Sequence, residues 1–319
     1  MIKRVPNRDI PTDKLRLQSS ERNENWPEKL FELFTNSIAQ SDIKYYPNLN
    51  NLYSKIKSFY KVNDLVIGNG SDRCIEHFIQ AHKKKYKKLV VFDPCFPMYP
   101  IYGQLYNFDI IRISHVDLTV PYEEFLRSID EDSIVILTNP TSPLGQILPP
   151  SFINQVLEKN VPTLLDEAYL DFSNASSYLG ALELFSNLFI VRTFSKGLGS
   201  AGIRLGFIAS NRENMDLIRQ FRPMYEITTF TAKWGELVLE NYHIAQEYID
   251  KVKRTRKEVV DRCVKSDIPV IDGHSNWIHI IYDNLPDHII FKTNCKIPGD
   301  SRDWVRLQIT SNINDYLWI

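Results

Sequence analysis

The sequence predicts an α/β protein in which a mainly parallel central sheet is flanked by helices, with a smaller α+β domain beside it. Three observations lead to this fold class. Between residues 64 and 209, short and almost continuously apolar runs alternate with helical patterns, which is typical of a parallel sheet covered on both faces. A long amphipathic stretch follows at 234–264, and β-like runs return after residue 275. A chain of 319 residues is long enough for one large domain and one small one.

The elements are predicted in order along the chain. Residues 1–26 are polar and irregular, and a first helix then carries Leu30, Phe34 and Ile38 on one face. Further helices are predicted at 50–60, at 73–83, in the segment that ends at residue 108, from about residue 211, and at 234–264 as one helix that spans two domains. Strands are predicted at 65–67, 89–92, 110–113, 134–138, 163–165, 188–191, 205–209, 277–282, 289–292 and 304–309.

This order predicts a large α/β domain at 43–235. The two remaining segments, 1–42 and 236–319, are predicted to form the small domain together with an N-terminal segment. The chain shows no internal repeat and no low-complexity tract.

Composition excludes several classes of protein. The formal net charge of -1 gives no reason to expect a nucleic-acid partner or an acidic membrane surface, and the basic run at 83–88 is expected to be a solvated helix end. The four cysteines have no zinc-site spacing and no disulfide pattern, so we expect no metal and a reducing, cytoplasmic location. Residues 1–13 do not resemble a signal peptide, and no apolar run reaches the ~20 residues that span a bilayer.

The segment 193–206, TFSKGLGSAGIRLG, carries the strongest chemical signal. It lies between two apolar strands and combines Lys196 with hydroxyl groups, four glycines and Arg204. A partly desolvated lysine amine is a nucleophile toward carbonyls, and an arginine beside hydroxyls can hold a phosphate. An aldehyde and a phosphate on one small molecule describe pyridoxal 5'-phosphate. The alternative is a glycine-rich turn with a solvated lysine.

This segment resembles the Ser-Lys-x-x-Gly-x-x-Gly-x-Arg-x-Gly signature of fold-type I pyridoxal phosphate enzymes, the aspartate aminotransferase superfamily. Within it, the chain looks most like the histidinol-phosphate aminotransferase branch. The resemblance covers roughly residues 20–310. It implies the PLP-transferase fold of type I, a Schiff base between Lys196 and the cofactor, phosphate contacts from Thr193, Ser195 and Arg204, and a homodimer that acts on small amino and oxo acids.

A second motif, DEAY at 166–169, follows the predicted strand 163–165. Ligands of α/β sheets bind at the carboxyl ends of strands, where this motif lies. The resemblance implies that Asp166 keeps the cofactor ring nitrogen protonated and that Tyr169 contacts the ring 3-hydroxyl. The alternative is an acidic turn, but the position 30 residues before Lys196 favours the cofactor role.

A third motif, NPTSPLG at 139–145, follows the strand 134–138 and resembles the family's Asn-Pro-Asn-Asn-Pro-Thr-Gly. The resemblance implies that Asn139 also contacts the 3-hydroxyl. Thr141 and Ser142 depart from the usual asparagines, which puts the substrate, and not the cofactor, in doubt. A proline-rich loop without a ligand is the alternative.

Two further segments resemble the phosphate and ring contacts of the family. GNGSD at 68–72 turns from a strand into a helix, whose free N–H groups attract an anion; Gly70, Ser71 and Asp72 are the implied phosphate contacts. A helix capped without a ligand is the alternative. In DPCFPMY at 93–99, Phe96 matches the aromatic residue that stacks on the cofactor ring, although a core phenylalanine would read the same way.

Three more residues are carried over from the resemblance. Tyr46 resembles the tyrosine that reaches the phosphate of the neighbouring subunit's cofactor, and a turn tyrosine on its own domain is the alternative. Arg306, in WVRLQI at 304–309, matches the late arginine that grips the substrate α-carboxylate, unless it is a strand arginine facing solvent. Asn276 resembles another position on the substrate side.

The order of these motifs favours a pyridoxal phosphate-dependent aminotransferase. A second reading is decarboxylation of an O-phospho-amino acid, because threonine-phosphate decarboxylase resembles this branch and the cofactor labilises whichever Cα bond stands perpendicular to its ring. The altered Asn-Pro loop and the 13 residues after Arg306 keep this reading open. A third reading is a non-catalytic protein of the same fold, against which the intact Lys196 argues.

Overall fold

The computed structural model describes residues 14–283 and 286–315. Residues 1–13 of the polar N-terminus, and the last four residues of the predicted small domain, lie outside the described part. The α-helices are α1 (Glu28–Ser37), α2 (Gln40–Lys44), α3 (Asn50–Tyr60), α4 (Ser71–His82), α5 (Met98–Leu105), α6 (Tyr122–Arg127), α7 (Pro150–Leu157), α8 (Arg212–Arg219), α9 (Thr229–Glu240) and α10 (Tyr242–Lys265).

The β-strands are also given in chain order. They are β1 (Leu15–Arg16), β2 (Leu65–Asn69), β3 (Lys88–Asp93), β4 (Asp109–Ser114), β5 (Ser133–Thr138), β6 (Thr163–Asp166), β7 (Leu188–Thr193), β8 (Leu205–Ala209), β9 (Val270–Ile271), β10 (Trp277–Ile280), β11 (Ile289–Ile290), β12 (Lys292–Ile297) and β13 (Asp300–Gln308).

The central sheet has seven strands in the order β2-β8-β7-β6-β5-β3-β4. The pairs from β7 to β4 are parallel, and β8 runs antiparallel to both of its neighbours. Neighbouring residues of one strand enter different cores, since Val90 and Leu137 pack on one face while Val91 and Ile136 pack on the other. Burial on both faces is why the strands read as continuous apolar runs. The predicted mainly parallel α/β sheet is therefore confirmed.

A second sheet, ordered β12-β13-β10-β9, is antiparallel. It packs on α10 through a separate core that contains Tyr248, Ile249, Val252, Ile278 and Leu307. The N-terminal segment reaches this region because β1 pairs in parallel with β11. Chain segments from both ends thus meet beside the second sheet. The domain bounds 43–235, 1–42 and 236–319 stay a prediction.

The single helix predicted at 234–264 is wrong. The chain leaves the helical conformation at Asn241 (φ -113°, ψ 36°), and α9 and α10 are separate helices. The Asn241 side chain donates to the Leu237 carbonyl at 2.9 Å, so it competes with the backbone for the end of α9. The break turns α10 from the central sheet toward the second sheet.

Several short elements had no predicted counterpart: α2, α6, α7, β1 and β9. Helix α5 begins at Met98, in the segment ending at residue 108 where a helix was predicted, and Pro100 lies in its first turn. Proline is tolerated there because the N–H groups of a first helical turn have no partner within the helix. The predicted strand at 289–292 is divided between β11 and the start of β12.

No helix within the described residues is long and apolar enough to cross a membrane. Within the same ranges, no group of three His, Cys, Asp or Glu side chains has the arrangement of a metal site.

Candidate active site

The largest concentration of predicted site residues lies in one cavity of about 470 Å³ at the carboxyl edge of the central sheet. Thr138, Asp166 and Thr193 are the last residues of β5, β6 and β7, and all three line it. Parallel neighbours end at the same edge, which is where α/β proteins bind ligands. Nine predicted site residues line the cavity: Ser71, Asp72, Phe96, Asp166, Tyr169, Thr193, Ser195, Lys196 and Arg204.

Lys196 enters this cavity from the turn that follows β7. Its Nζ donates a hydrogen bond to the Ser19 carbonyl at 2.7 Å and lies 5.5 Å from the centre of the Tyr169 ring. The next residue, Gly197, packs so tightly that a Cβ there would lie 2.4 Å from an Asp171 carboxylate oxygen. The glycine therefore lets the turn approach Asp171 and directs the lysine into the cavity.

Asp166 lies at the floor of the cavity, almost fully buried. One carboxylate oxygen accepts the Tyr99 hydroxyl at 2.7 Å, and the other accepts the Ala168 backbone N–H at 3.0 Å. Burial raises the pKa of Asp166 from 3.8 to about 6, and these two hydrogen bonds oppose the rise. A carboxylate withdrawn from water in this way is a strong partner for a cation placed in the cavity.

Another part of the cavity wall, around Arg204, forms a cradle for an anion. Gly70 (φ +82°) precedes α4, and a Cβ on it would lie 2.4 Å from an Arg204 guanidinium nitrogen. The guanidinium reaches Ser195 Oγ at 3.4 Å, and the Thr193 hydroxyl accepts the Ser195 N–H at 3.1 Å. Together with the free N–H groups at the start of α4, these groups are suited to a phosphate.

Asp72 lies at the same end of the cavity. Burial raises the pKa of its carboxyl group, and its Oδ1 is buried without a hydrogen-bond partner among the described residues. An orphaned acceptor next to a cationic cradle indicates a missing polar ligand or water.

Besides Gly70, whose place beside Arg204 is given above, two predicted cofactor residues do not line this cavity. Asn139 is buried beside Asp166, where its N–H donates to the Asp166 carbonyl at 2.9 Å and its Oδ1 accepts the Leu148 N–H at 3.0 Å. Tyr46 lies on the surface, 77% exposed, with its ring stacked on Tyr225 at 4.2 Å. Tyr46 lines a separate, open cavity. Asn69, the residue before Gly70, also lines that cavity.

The two predicted substrate residues, Arg306 and Asn276, are also outside the cavity lining. Both are buried, and residues 18–21 lie against them. Four consecutive carbonyls of this segment accept hydrogen bonds from site residues: Gln18 O from Arg306, Ser19 O from Lys196, Ser20 O from Asn276 and Glu21 O from Gln308. The N-terminal segment therefore covers the side of the cavity on which Arg306 and Asn276 lie.

Sequence reasoning missed several residues of the site. Tyr99 donates a hydrogen bond to Asp166. Its position three residues after Phe96, near the start of a helix, could have marked it as a candidate site residue. Ser19 and Glu21 line the cavity from a segment about 175 residues before Lys196. No local pattern marked them, since only the tertiary fold brings these segments together.

A buried ion network lies behind Lys196. Arg192 is 5% exposed and pairs with Glu167 at 3.2 Å and with Asp171. Glu167 also accepts the Ser177 hydroxyl at 2.6 Å and the Tyr178 N–H at 2.8 Å. The carboxylates on either side raise the pKa of Arg192 against its burial. This network fixes the turn that carries the DEAY motif and packs against the turn of Lys196.

These residues fit pyridoxal phosphate in chemical type. The cavity offers a primary amine for an aldehyde, a buried carboxylate for a ring cation, an aromatic side chain for a ring face and a cationic cradle for a phosphate. The close approach of the Arg204 guanidinium to Gly70, which a Cβ there would block, supports the same fit. The fold and the site define a pyridoxal phosphate-dependent enzyme.

Comparison with known proteins agrees. The family model "Aminotransferase class I and II" matches residues 14–291, and the chain belongs to that family. A histidinol-phosphate aminotransferase of Clostridium beijerinckii is 26% identical over 302 residues, covering 91% of this chain and 82% of the relative. The protein is thus a pyridoxal phosphate-dependent transaminase, and it is similar to the histidinol-phosphate aminotransferases within that family.

Solved structures share the fold. Histidinol-phosphate aminotransferase from Sinorhizobium meliloti, in complex with pyridoxal 5'-phosphate, matches with a TM-score of 0.78 at 18% identity, covering 93% of this chain and 86% of that one. L-threonine-O-3-phosphate decarboxylase from Porphyromonas gingivalis also matches with a TM-score of 0.78, at 16% identity, covering 93% and 94%. The predicted PLP-transferase fold of type I is confirmed, but the fold does not separate the two reactions.

Proposed function

We propose that this protein exchanges an amino group between an amino acid, or an amino-phosphate compound, and an oxo acid, with Lys196 as the residue that binds the cofactor aldehyde. The observation that carries the proposal is that Lys196 and the buried Asp166 open into one cavity that ends at the Arg204 cradle. The relative named histidinol-phosphate aminotransferase supports a phosphorylated amino compound as one substrate.

Each residue has a separate role in this proposal. Bound pyridoxal phosphate supplies an electron sink for negative charge at the substrate Cα. Asp166 would hold a proton on the ring nitrogen, and Tyr169 would orient the ring at its 3-hydroxyl. Asn139, which lies beside Asp166 and outside the cavity lining, is proposed to act on the same hydroxyl. Phe96 covers a ring face. Gly70, Ser71, Asp72, Thr193, Ser195 and Arg204 form the phosphate end.

Lys196 is the proposed acid–base residue. With cofactor and substrate bound, the free amine of Lys196 would accept the proton from the substrate Cα and would later donate it to complete the exchange. The Ser19 carbonyl, 2.7 Å from Nζ, is placed to hold this amine between the two transfers. The N-terminal segment would also keep water from the reacting atoms.

Arg306 is the proposed binder of the substrate carboxylate, or of a phosphate in its place, with Asn276 beside it. Nη2 already donates to the Gln18 carbonyl at 2.8 Å. Guanidinium carries five N–H donors, so a carboxylate could share it with this carbonyl or displace the segment that bears it.

Absorbance spectroscopy tests the proposal. Purified protein loaded with pyridoxal phosphate is scanned before and after addition of glutamate, and then with phosphorylated amino compounds. Conversion to the pyridoxamine form establishes transamination. Carbon dioxide released from a phospho-amino acid, without that conversion, would establish the decarboxylase instead. Lys196→Ala should leave the fold intact and abolish the borohydride-trapped adduct; an adduct at another lysine would refute the assignment.

A homodimer, and a cytoplasmic location, belong to the same proposal. An apolar surface patch near Tyr46 includes Ile43 (76% exposed), Tyr45 and Met224 (77% exposed), and such a patch is typical of a protein interface. The four cysteines are free thiols, which suits a reducing compartment. Light scattering measures the oligomeric state.

Mixed dimers test whether Tyr46 acts across the interface. Lys196→Ala and Tyr46→Ala proteins are mixed under conditions that allow subunit exchange. If Tyr46 serves the partner's cofactor, half of the dimers contain one intact site, and about a quarter of wild-type activity returns. If Tyr46 serves its own subunit, no site is restored and activity stays low.

A further inference from the structure

Trp277 connects three parts of the site that come from distant segments of the chain. It is the first residue of β10, is 1% exposed, and pairs across the sheet with Gln308. Arg306 is two residues from Gln308 on β13, so it lies on the same face of the sheet, diagonally opposite Trp277.

Three contacts of the Trp277 side chain are with residues at or next to the active site. The Arg306 guanidinium carbon lies 4.9 Å from the ring centre, and the Tyr169 ring meets it edge-on at 4.5 Å and 89°. The indole N–H donates to the Pro143 carbonyl at 2.7 Å. Since Lys196 Nζ lies over the other ring, at 5.5 Å from Tyr169, two aromatic rings separate the guanidinium from the amine.

We propose that Trp277 is a positioning residue that fixes the distance and orientation of Arg306 relative to Lys196 and holds the 139–145 loop against both. The inference rests on the proposed role of Arg306 in binding the substrate carboxylate. A carboxylate held at the wrong distance would leave the substrate amine away from the reacting carbon, and small misplacements lower reaction rates strongly.

The loop contact extends the same argument. Beside the Trp277–Pro143 bond, the His274 N–H donates to the Gly145 carbonyl at 2.7 Å. A Cβ on Gly273 would lie 3.0 Å from the Leu144 carbonyl oxygen, so the two backbones touch. The loop that carries the unusual Thr141 and Ser142 is therefore held by the same segment that begins β10. Ser142, which lines the cavity, takes its position from this attachment.

Two variants distinguish the effect of the Trp277 ring from the effect of its indole N–H group. Trp277→Phe keeps an aromatic ring and removes the bond to Pro143, whereas Trp277→Leu removes the ring as well. Trp234 supplies the matched control, because it is also buried and its indole N–H also donates, to Ser200 Oγ at 2.9 Å, without contact to Arg306 or Tyr169. Trp234→Phe and Trp234→Leu therefore report the general cost of losing a buried tryptophan.

With glutamate as the probe, Trp277→Phe should raise KM about threefold and Trp277→Leu on the order of tenfold or more, reflecting one hydrogen bond and two ring contacts. The affinity for pyridoxal phosphate should stay within about twofold of wild type, since no proposed phosphate contact is altered. The Trp234 variants should leave KM unchanged. In an Arg306→Ala background, Trp277→Leu should add almost nothing, because its effect passes through the arginine. Equal KM changes in the two leucine variants, or full additivity with Arg306→Ala, would overturn the inference.

A readout without catalysis distinguishes this inference from the proposed function. Phenylglyoxal modifies exposed arginines, and mass spectrometry locates the adduct at Arg306, which is 7% exposed in the native protein. In cofactor-free protein, Trp277→Leu should speed this modification at least fivefold over Trp234→Leu. A protein that fails to transaminate but shows this acceleration refutes the proposed function and keeps the positioning role. Equal modification rates would refute the positioning role whatever the activity.

Discussion

Asp166→Asn tests how the protein prepares its cofactor site. Burial raises the pKa of Asp166 from 3.8 to about 6, so the ionised carboxylate is less stable in the folded cofactor-free protein than in the unfolded chain. With 1.36 kcal/mol for each pKa unit, keeping Asp166 ionised lowers the free energy of unfolding by about 3 kcal/mol. This destabilisation is fully present above pH 6, decreases as the pH falls toward 4, and vanishes where the carboxyl group is protonated in both the folded and the unfolded state.

The asparagine variant should remove this cost without removing the hydrogen bonds. Its Oδ1 can accept the Ala168 N–H, and its amide can donate to the Tyr99 hydroxyl, which can turn toward Thr138 Oγ1 at 2.9 Å. We therefore expect cofactor-free Asp166→Asn to be more stable than wild type by up to about 3 kcal/mol near neutral pH, with the difference shrinking toward pH 4.

Urea denaturation at a series of pH values measures this difference. The exposed Asp109→Asn variant is the control and should track wild type throughout. Affinity for pyridoxal phosphate should change in the opposite direction, falling by at least a hundredfold, because the buried partner of a ring cation is lost. A stability difference that does not depend on pH would refute the argument from burial.

Two further predictions concern the cradle and the lysine turn. Arg204→Ala should weaken pyridoxal phosphate binding by about 2 kcal/mol through the loss of a charge-assisted phosphate contact, measured by fluorescence titration; the exposed Arg212→Ala is the control, and equal affinity in both variants would remove Arg204 from the cradle. Gly197→Ala should lower the free energy of unfolding by about 2 kcal/mol, because the new Cβ would lie 2.6 Å from Asp171 Cβ. Gly202→Ala, where a Cβ meets nothing within 4 Å, should change little in the same denaturation experiment.

The fold class was readable because each strand of the central sheet is a local signal. Val90 and Val91 pack on opposite faces, so both positions must be apolar, and such runs stand out in any sequence. The site residues of the large sheet were readable for a related reason. Asp166 and Thr193 end β6 and β7, and Ser195 and Lys196 follow within three residues of Thr193, so their place at one edge of the sheet follows from the strand order.

Other features were not predicted. The break at Asn241 was missed because the amphipathic pattern continues through it, although the side-chain bond from Asn241 to Leu237 is local. The hydrogen bonds that connect Ser19 to Lys196, Tyr99 to Asp166 and Trp277 to Pro143 join residues 67 to 177 positions apart in the sequence.

The sequence by itself therefore determined the central sheet, because the sheet depends on periodicity. Its motifs, through their resemblance to a known family, also indicated the cofactor class and half of the residues that line the cavity. Only the tertiary structure decided how the N-terminal carbonyls meet Lys196 and Arg306, and how Trp277 joins Arg306 to Tyr169. These contacts join the chain's two ends to its middle. Their geometry is set by packing between separate segments, which no local pattern of residues encodes.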